Sequence, residues 1–404
     1  MVLVIILPTG NVAGLNIKLL FMLVITSFVL YDIVINDMTD AIAGSIKYVS
    51  SISVVLLAWV IIGLLKNDAY EFYGFSQFKD FMATIIVTWL GYYLYRRRLL
   101  DWYYYFRLVL YAHLTYIMLK VAMFTAVFLN YITLTNLVDF IRNVFGYSLV
   151  TFNFSGNIIE SNVVRLDLLN DSLSPYLLLF LLNTEQLGIR IKPNSKFFMI
   201  ILLIVNILIG YKRSLIIVGL FVLLYSIFFA MKSSTRLKAL IVVSAIVAVL
   251  YINYSEEINY FVVDRFSSSS QDYSDTLRLE QFHVLMNEFY DNYLIGKGMG
   301  GYAYNYIRSE DLPYSYEMQW MQFLMQFGIL GIIIVILTYC TIIIPAIRNW
   351  FRVDAKIRII VLISFVSWGL ISFTNPMMLS SFCSAFYTLI LLTALKYCSP
   401  TDAI

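Results

Sequence analysis

Two adjacent cations, Lys212 and Arg213, interrupt an otherwise nearly unbroken apolar run from Phe197 to Ala230. A charge at mid-bilayer costs about 2.5–3.5 kcal/mol on insertion scales, so cations in such a run need an account. One account is a cationic site facing a cavity that receives an anion. The other is a pair of side chains snorkelling to headgroups at a tight turn. Arg278 lies in a stretch where Leu279, Phe282, Leu285, Met286 and Phe289 recur at helical spacing. Arg165 stands just before Asp167 and the apolar block opened by Ser174 and Pro175, and Arg265 and Arg308 lie on either side of Arg278. For each of these arginines a solvated helix or loop face is the competing account. Glu317, one turn before an apolar block that starts near Trp320, is the candidate general base; a carboxylate at a helix start also complements the helix dipole. Guanidinium forks grip multivalent anions. With one carboxylate as a base, they suit metal-free catalysis at a site that receives an anion.

Other chemistries lack their signatures. The run Gly296–Gly301, GKGMGG, is not a phosphate loop, because it lacks GxxxxGK[ST]. His113 and His283 are isolated and make no metal site, and no Ser-His-Asp set is evident. Cys340, Cys383 and Cys398 lie in or beside the last apolar blocks and form no CxxC pair. Catalysis with no metal and no cofactor is the expectation.

The elements that must hold these groups follow from composition. The chain is 61% hydrophobic and 13% charged, against about half and about a quarter in soluble domains. Apolar residues come in continuous blocks near the 20 or so that span a bilayer as a helix. The reading is an all-α, polytopic integral membrane protein of about 11–12 transmembrane helices, one transmembrane domain over residues 1–404. Spans fall at roughly 17–35, 46–65, 80–95, 108–131, 173–184, 197–211, 214–231, 238–254, 320–345, 357–374 and 379–397. Met1–Asn16, broken by Pro8, Gly10 and Gly14, is either a further short span or a partly inserted lead-in.

Lys and Arg in short loops set orientation. Arg96–Arg98, Arg190, Lys192, Lys196, Lys232, Arg236, Lys238, Arg348, Arg352, Lys356 and Arg358 fall in alternate loops, which places those loops and the C-terminus in the cytoplasm. The opposite face then carries two long segments, about 132–172 and 255–319, the second one acidic. Stretches of that length are usually functional or disordered. Its Ser274–Tyr290 part reads as an amphipathic helix lying against membrane or bundle, followed by a glycine-rich turn. Lys212, Arg213, Arg165, Arg278 and Glu317 all fall on this face. The net charge of +3 identifies no partner, and no nucleic acid is expected.

Five stretches carry a resemblance. Asp264–Phe282 (DRFSSSSQDYSDTLRLEQF), Leu294–Tyr302 (LIGKGMGGY) and Tyr316–Gly331 (YEMQWMQFLMQFGILG), together with the basic turn Leu208–Leu220 and the approach Val163–Leu179, resemble the bacterial O-antigen polymerase and ligase superfamily. The resemblance covers about a third of the chain. It implies an inverting, metal-independent glycosyltransferase acting on undecaprenyl-diphosphate-linked glycans at the periplasmic face of the bacterial inner membrane. The implied partners are the glycan donor and acceptor, membrane lipid and, as a possible further partner, a chain-length regulator protein. On this reading Arg213, Arg278 and Glu317 are catalytic, while Arg165, Lys212 and Arg265 bind the diphosphate. Ligases resemble a T-H-N pattern where this chain has Tyr316-Glu317-Met318, which favours the polymerase. Ligase and lipid-linked oligosaccharide flippase are the alternatives; the long loop and lack of internal repeat count against the flippase.

Overall fold

The computed structural model describes residues 5–6, 11–12, 15–36, 40–66, 71–145, 168–210, 212–230, 268–308, 312–347, 354–373, 378 and 382–398. These residues are almost wholly helical. The helices are α1 (Ile17–Ile35), α2 (Asp40–Lys66), α3 (Glu71–Arg96), α4 (Trp102–Phe128), α5 (Leu134–Phe145), α6 (Ser174–Leu182), α7 (Pro193–Gly210), α8 (Arg213–Tyr225), α9 (Ser268–Asp291), α10 (Gln319–Ile347), α11 (Ala355–Ile371) and α12 (Cys383–Cys398). A 3-10 turn, Leu169–Leu173, precedes α6, and a π-helical turn, Ser226–Ala230, continues α8.

The bundle is apolar outside and polar in places within, the reverse of a soluble protein. Leu20, Phe28 and Val34 on α1 are 60%, 70% and 84% exposed, while His113, Lys120, Asp171, Asn206 and Gln326 are buried. Large exposed apolar surface is stable only against lipid. Helices α1, α4, α7 and most of α2 are long and apolar enough to cross a membrane, and α8, α10 and α12 include shorter apolar helices. The chain is a polytopic helical membrane protein.

Two larger packing groups organise the described residues. In one, α4, α6, α7, α8, α11 and α12 share a core that includes Phe106, Leu177, Phe180, Leu203, Val222 and Phe386. In the other, α2, α3 and α10 close around Trp59, Phe81, Phe323 and Phe327. Helix α12 joins them, packing against both α3 and α4. The close approach at α3 is set by Gly91, whose place a Cβ could not occupy, since it would meet Thr388 Cγ2 at 2.3 Å.

One expectation is corrected. Residues 173–184 do not form a full span: α6 has 9 residues, about 13 Å at 1.5 Å per residue. Pro175 starts it, and Asn183 ends it by turning its Nδ2 back to Leu179 O. Every residue from Ser174 to Leu181 is buried, so α6 is a short central helix enclosed by others. Within Met1–Asn16, open between a short span and a lead-in, Asn11–Val12 pairs antiparallel with Leu15–Asn16. In the long segment before Ser174, α5 buries Leu137 and Ile141, one helical turn apart. The span expected at 238–254 lies outside the described residues.

Candidate active site

The loop helix α9 exists as read, but its buried side is narrower. Gln281, Leu285 and Phe289 face inward at intervals of four, while Leu279 is 57% exposed. Its partner is α10. Gln281 Oε1 accepts the Met318 N–H at 3.0 Å, which fixes α9 against the residues leading into α10.

The glycine-rich run then locks this assembly into the bundle by its backbone. Lys297 N–H donates to Met325 O at 2.8 Å, Gly298 N–H to Gln326 O at 2.9 Å and Met299 N–H to Trp59 O at 2.8 Å. Gln77, buried on α3, accepts from Gly300 N–H and donates to Gln326 Oε1, both at 2.7 Å. Trp59 Nε1–H reaches Ile295 O at 2.9 Å. Gly298 has φ +88°, and a Cβ there would stand 2.1 Å from Gly63 N. Gly328 (φ 63°) kinks α10 where the run passes. Main chain therefore meets main chain with no room for side chains, which is what GKGMGG supplies in place of a phosphate cradle.

On this platform Glu317 sits between two arginines. Arg278 Nε–H donates to Glu317 Oε2 at 3.2 Å, and an Arg308 terminal nitrogen lies 2.5 Å from Oε1. The three side chains are 32%, 43% and 30% exposed for Arg278, Arg308 and Glu317 respectively, so a substrate can reach them. Among the described residues, two guanidiniums share this one carboxylate. Tyr316, beside Glu317, is fully buried; its hydroxyl accepts from Ala303 N–H at 2.8 Å and donates to Tyr306 O at 3.3 Å. Burial pushes the Tyr316 hydroxyl up to about 12, so it stays protonated and structural.

Of the expected site residues, Arg278 and Glu317 are brought together. Arg308, ranked weak from sequence, joins them. Lys212 and Arg213 lie in the other packing group, at the start of α8. Helix α11 links the two regions: it packs against α8, and its Gly369 O accepts the Trp320 Nε1–H at 2.9 Å. Arg165 and Arg265 lie outside the described residues.

A second polar cluster was not foreseen. Lys120 Nζ and Asp171 Oδ2 form an ion pair of 2.7 Å with both side chains at 0% exposure. Tyr116 donates to Asp171 Oδ1 at 2.7 Å, and Leu168 N–H to Oδ2 at 3.0 Å. Beside it, Ser174 Oγ bonds His113 Nε2 at 2.8 Å and Asn206 Nδ2 at 2.9 Å. The signal was present: His113, Tyr116 and Lys120 recur at i, i+3 and i+7, one face of a helix. Among the described residues no group of three His, Cys, Asp or Glu is placed to hold a metal ion.

Residues 198–336 match the family model described as O-antigen ligase. That stretch, about a third of the chain, runs from α7 into α10 and holds Lys212, Arg213, Arg278, Arg308 and Glu317. Over that stretch the chain is similar to the O-antigen polymerase and ligase superfamily. No curated protein and no solved structure matches.

Proposed function

We propose that this protein polymerises lipid-linked oligosaccharide repeat units, as an inverting glycosyltransferase working at the periplasmic face of the bacterial inner membrane. The observation that carries the reading is Glu317 held between Arg278 and Arg308 on a docked, accessible loop helix. An acceptor hydroxyl attacks the anomeric carbon of a glycan on polyprenyl diphosphate. The bond from that carbon to the diphosphate breaks, and the electron pair leaves with the diphosphate. Glu317 takes the hydroxyl proton; an ionised carboxylate has about four acceptor sites, and the arginines use two of them. Arg278, Arg308, Lys212 and Arg213, with Arg165 and Arg265, supply the positive charge that the leaving diphosphate needs, most of all in the transition state. Arginine forks give this without a metal.

The second reading, ligation of finished chains to a lipid core, is favoured by the description of the matching family model. Gene deletion in the host separates the two. Loss of long chains with one repeat kept on the core supports polymerase; loss of every repeat supports ligase; an unchanged glycan profile overturns both.

A further inference from the structure

The Lys120–Asp171 ion pair has no part in the reaction above, and stability alone does not account for it. A buried ion pair gains little over apolar side chains of equal volume, and charges within a membrane protein's interior are costly. Its location is informative. Gly210 ends α7, two residues before Lys212. A Cβ on Gly210 would stand 3.3 Å from Asp171 Oδ2 and 3.8 Å from Lys120 Nζ. The last residue of α7 therefore rests on the ion pair.

We infer that Lys120 and Asp171 are positioning residues for the cationic turn that carries Lys212 and Arg213. The inference rests on the proposed role of that turn as part of the diphosphate seat. Three chain segments meet at the pair: α4 through Lys120, the 3-10 turn through Asp171, and the end of α7 through Gly210. The Lys120 ammonium lies at the carbonyl end of α7, where the helix dipole favours a cation. Asp171, fixed by Tyr116 and by Leu168 N–H, holds that ammonium in place. Next along the chain, Lys212 caps α8 and is 9% exposed, and Arg213 opens the helix. Any shift at Gly210 is passed on to both cations. Displacing a charge by about 1 Å from a reacting group can cost about a hundredfold in rate.

The test is a cycle of variants in the purified full chain in lipid nanodiscs, with polyprenyl-diphosphate-linked repeat units as substrate. Lys120→Met with Asp171→Asn removes both charges and keeps volume and the acceptor for Tyr116. Its kcat/KM is expected to fall about tenfold, because the turn loses its support. In a Lys212→Ala, Arg213→Ala background the same replacement is expected to change kcat/KM less than about twofold, since the pair acts through those two cations. A full tenfold drop in that background, or wild-type kcat/KM in the Lys120→Met, Asp171→Asn variant, overturns the inference while the function stands. Wild-type kcat/KM for Lys212→Ala with Arg213→Ala alone overturns the reading of the turn as the diphosphate seat, and the inference with it. Should the double variant fail to insert, Gly210→Ala takes its place in the same cycle, placing a methyl 3.3 Å from the carboxylate.

Discussion

Arg278 and Glu317, 39 residues apart in the chain, meet at 3.2 Å and join the loop helix α9 to the start of α10. The contact is charge-assisted and uses the guanidinium Nε, a donor whose place lysine does not reproduce. Arg278→Lys is therefore expected to shorten the polymer nearly as much as Arg278→Ala. The loss should be about tenfold to a hundredfold in elongation rate, the value of one charged hydrogen bond of about 1.5–3 kcal/mol. Glycan ladders at matched protein level measure it; wild-type ladders from Arg278→Ala and Glu317→Ala together would sink the site.

Arg308 holds the other carboxylate oxygen and is the more exposed arginine. Arg308→Ala should reduce elongation less than Arg278→Ala, by no more than about fivefold, since exposed ion pairs contribute about 0.2–1 kcal/mol. Raising the salt concentration should narrow the gap between wild type and this variant.

Gly298→Ala should detach the loop. The added methyl would meet the Gly63 backbone at 2.1 Å, and φ +88° strains any L-residue. Backbone cannot yield as a side chain can, so a loss of about 2–4 kcal/mol is expected. Limited proteolysis should cut between residues 292 and 303 in this variant and spare the wild type.

Lys120→Met alone leaves Asp171 charged and buried without its ammonium, a loss of about 3–5 kcal/mol. Combining it with Asp171→Asn should restore most of the melting temperature. A double variant as unstable as the single one would contradict this.

Tyr316 predicts a pH dependence. An unfolded tyrosine ionises near pH 10, and burial raises Tyr316 to about 12. Between these values only the unfolded chain gives up its proton. The contribution is thus complete below about pH 10 and is lost as pH rises toward 12. Tyr316→Phe should cost about 1–3 kcal/mol at neutral pH, because Ala303 N–H loses its acceptor. Its deficit should shrink at about pH 11, as read by denaturant melts.

Helix positions were legible because apolar block length is a strong signal: α1, α8 and α10 begin within a residue of their expected starts. The helix nature of α9 and the turn after it were legible too. The shortness of α6 was not, since Leu177–Leu182 is as apolar as a true span and hydropathy cannot tell burial in protein from burial in lipid. The pairing of Arg308 with Glu317 could not be read, because it depends on how the loop doubles back. Lys120 was hidden inside a hydrophobic window that tolerates one charge, and its partner Asp171 lies 51 residues away.

The joint between Gly296–Gly301 and helices α2, α3 and α10 is made largely by amides and carbonyls, which every residue carries. Its inheritance therefore rests on a short set of positions: glycines at 63, 296, 298, 300 and 328, the side chains of Gln77 and Gln326, and a tryptophan at 59. Side chains elsewhere around it can change and leave the loop docked in the same place.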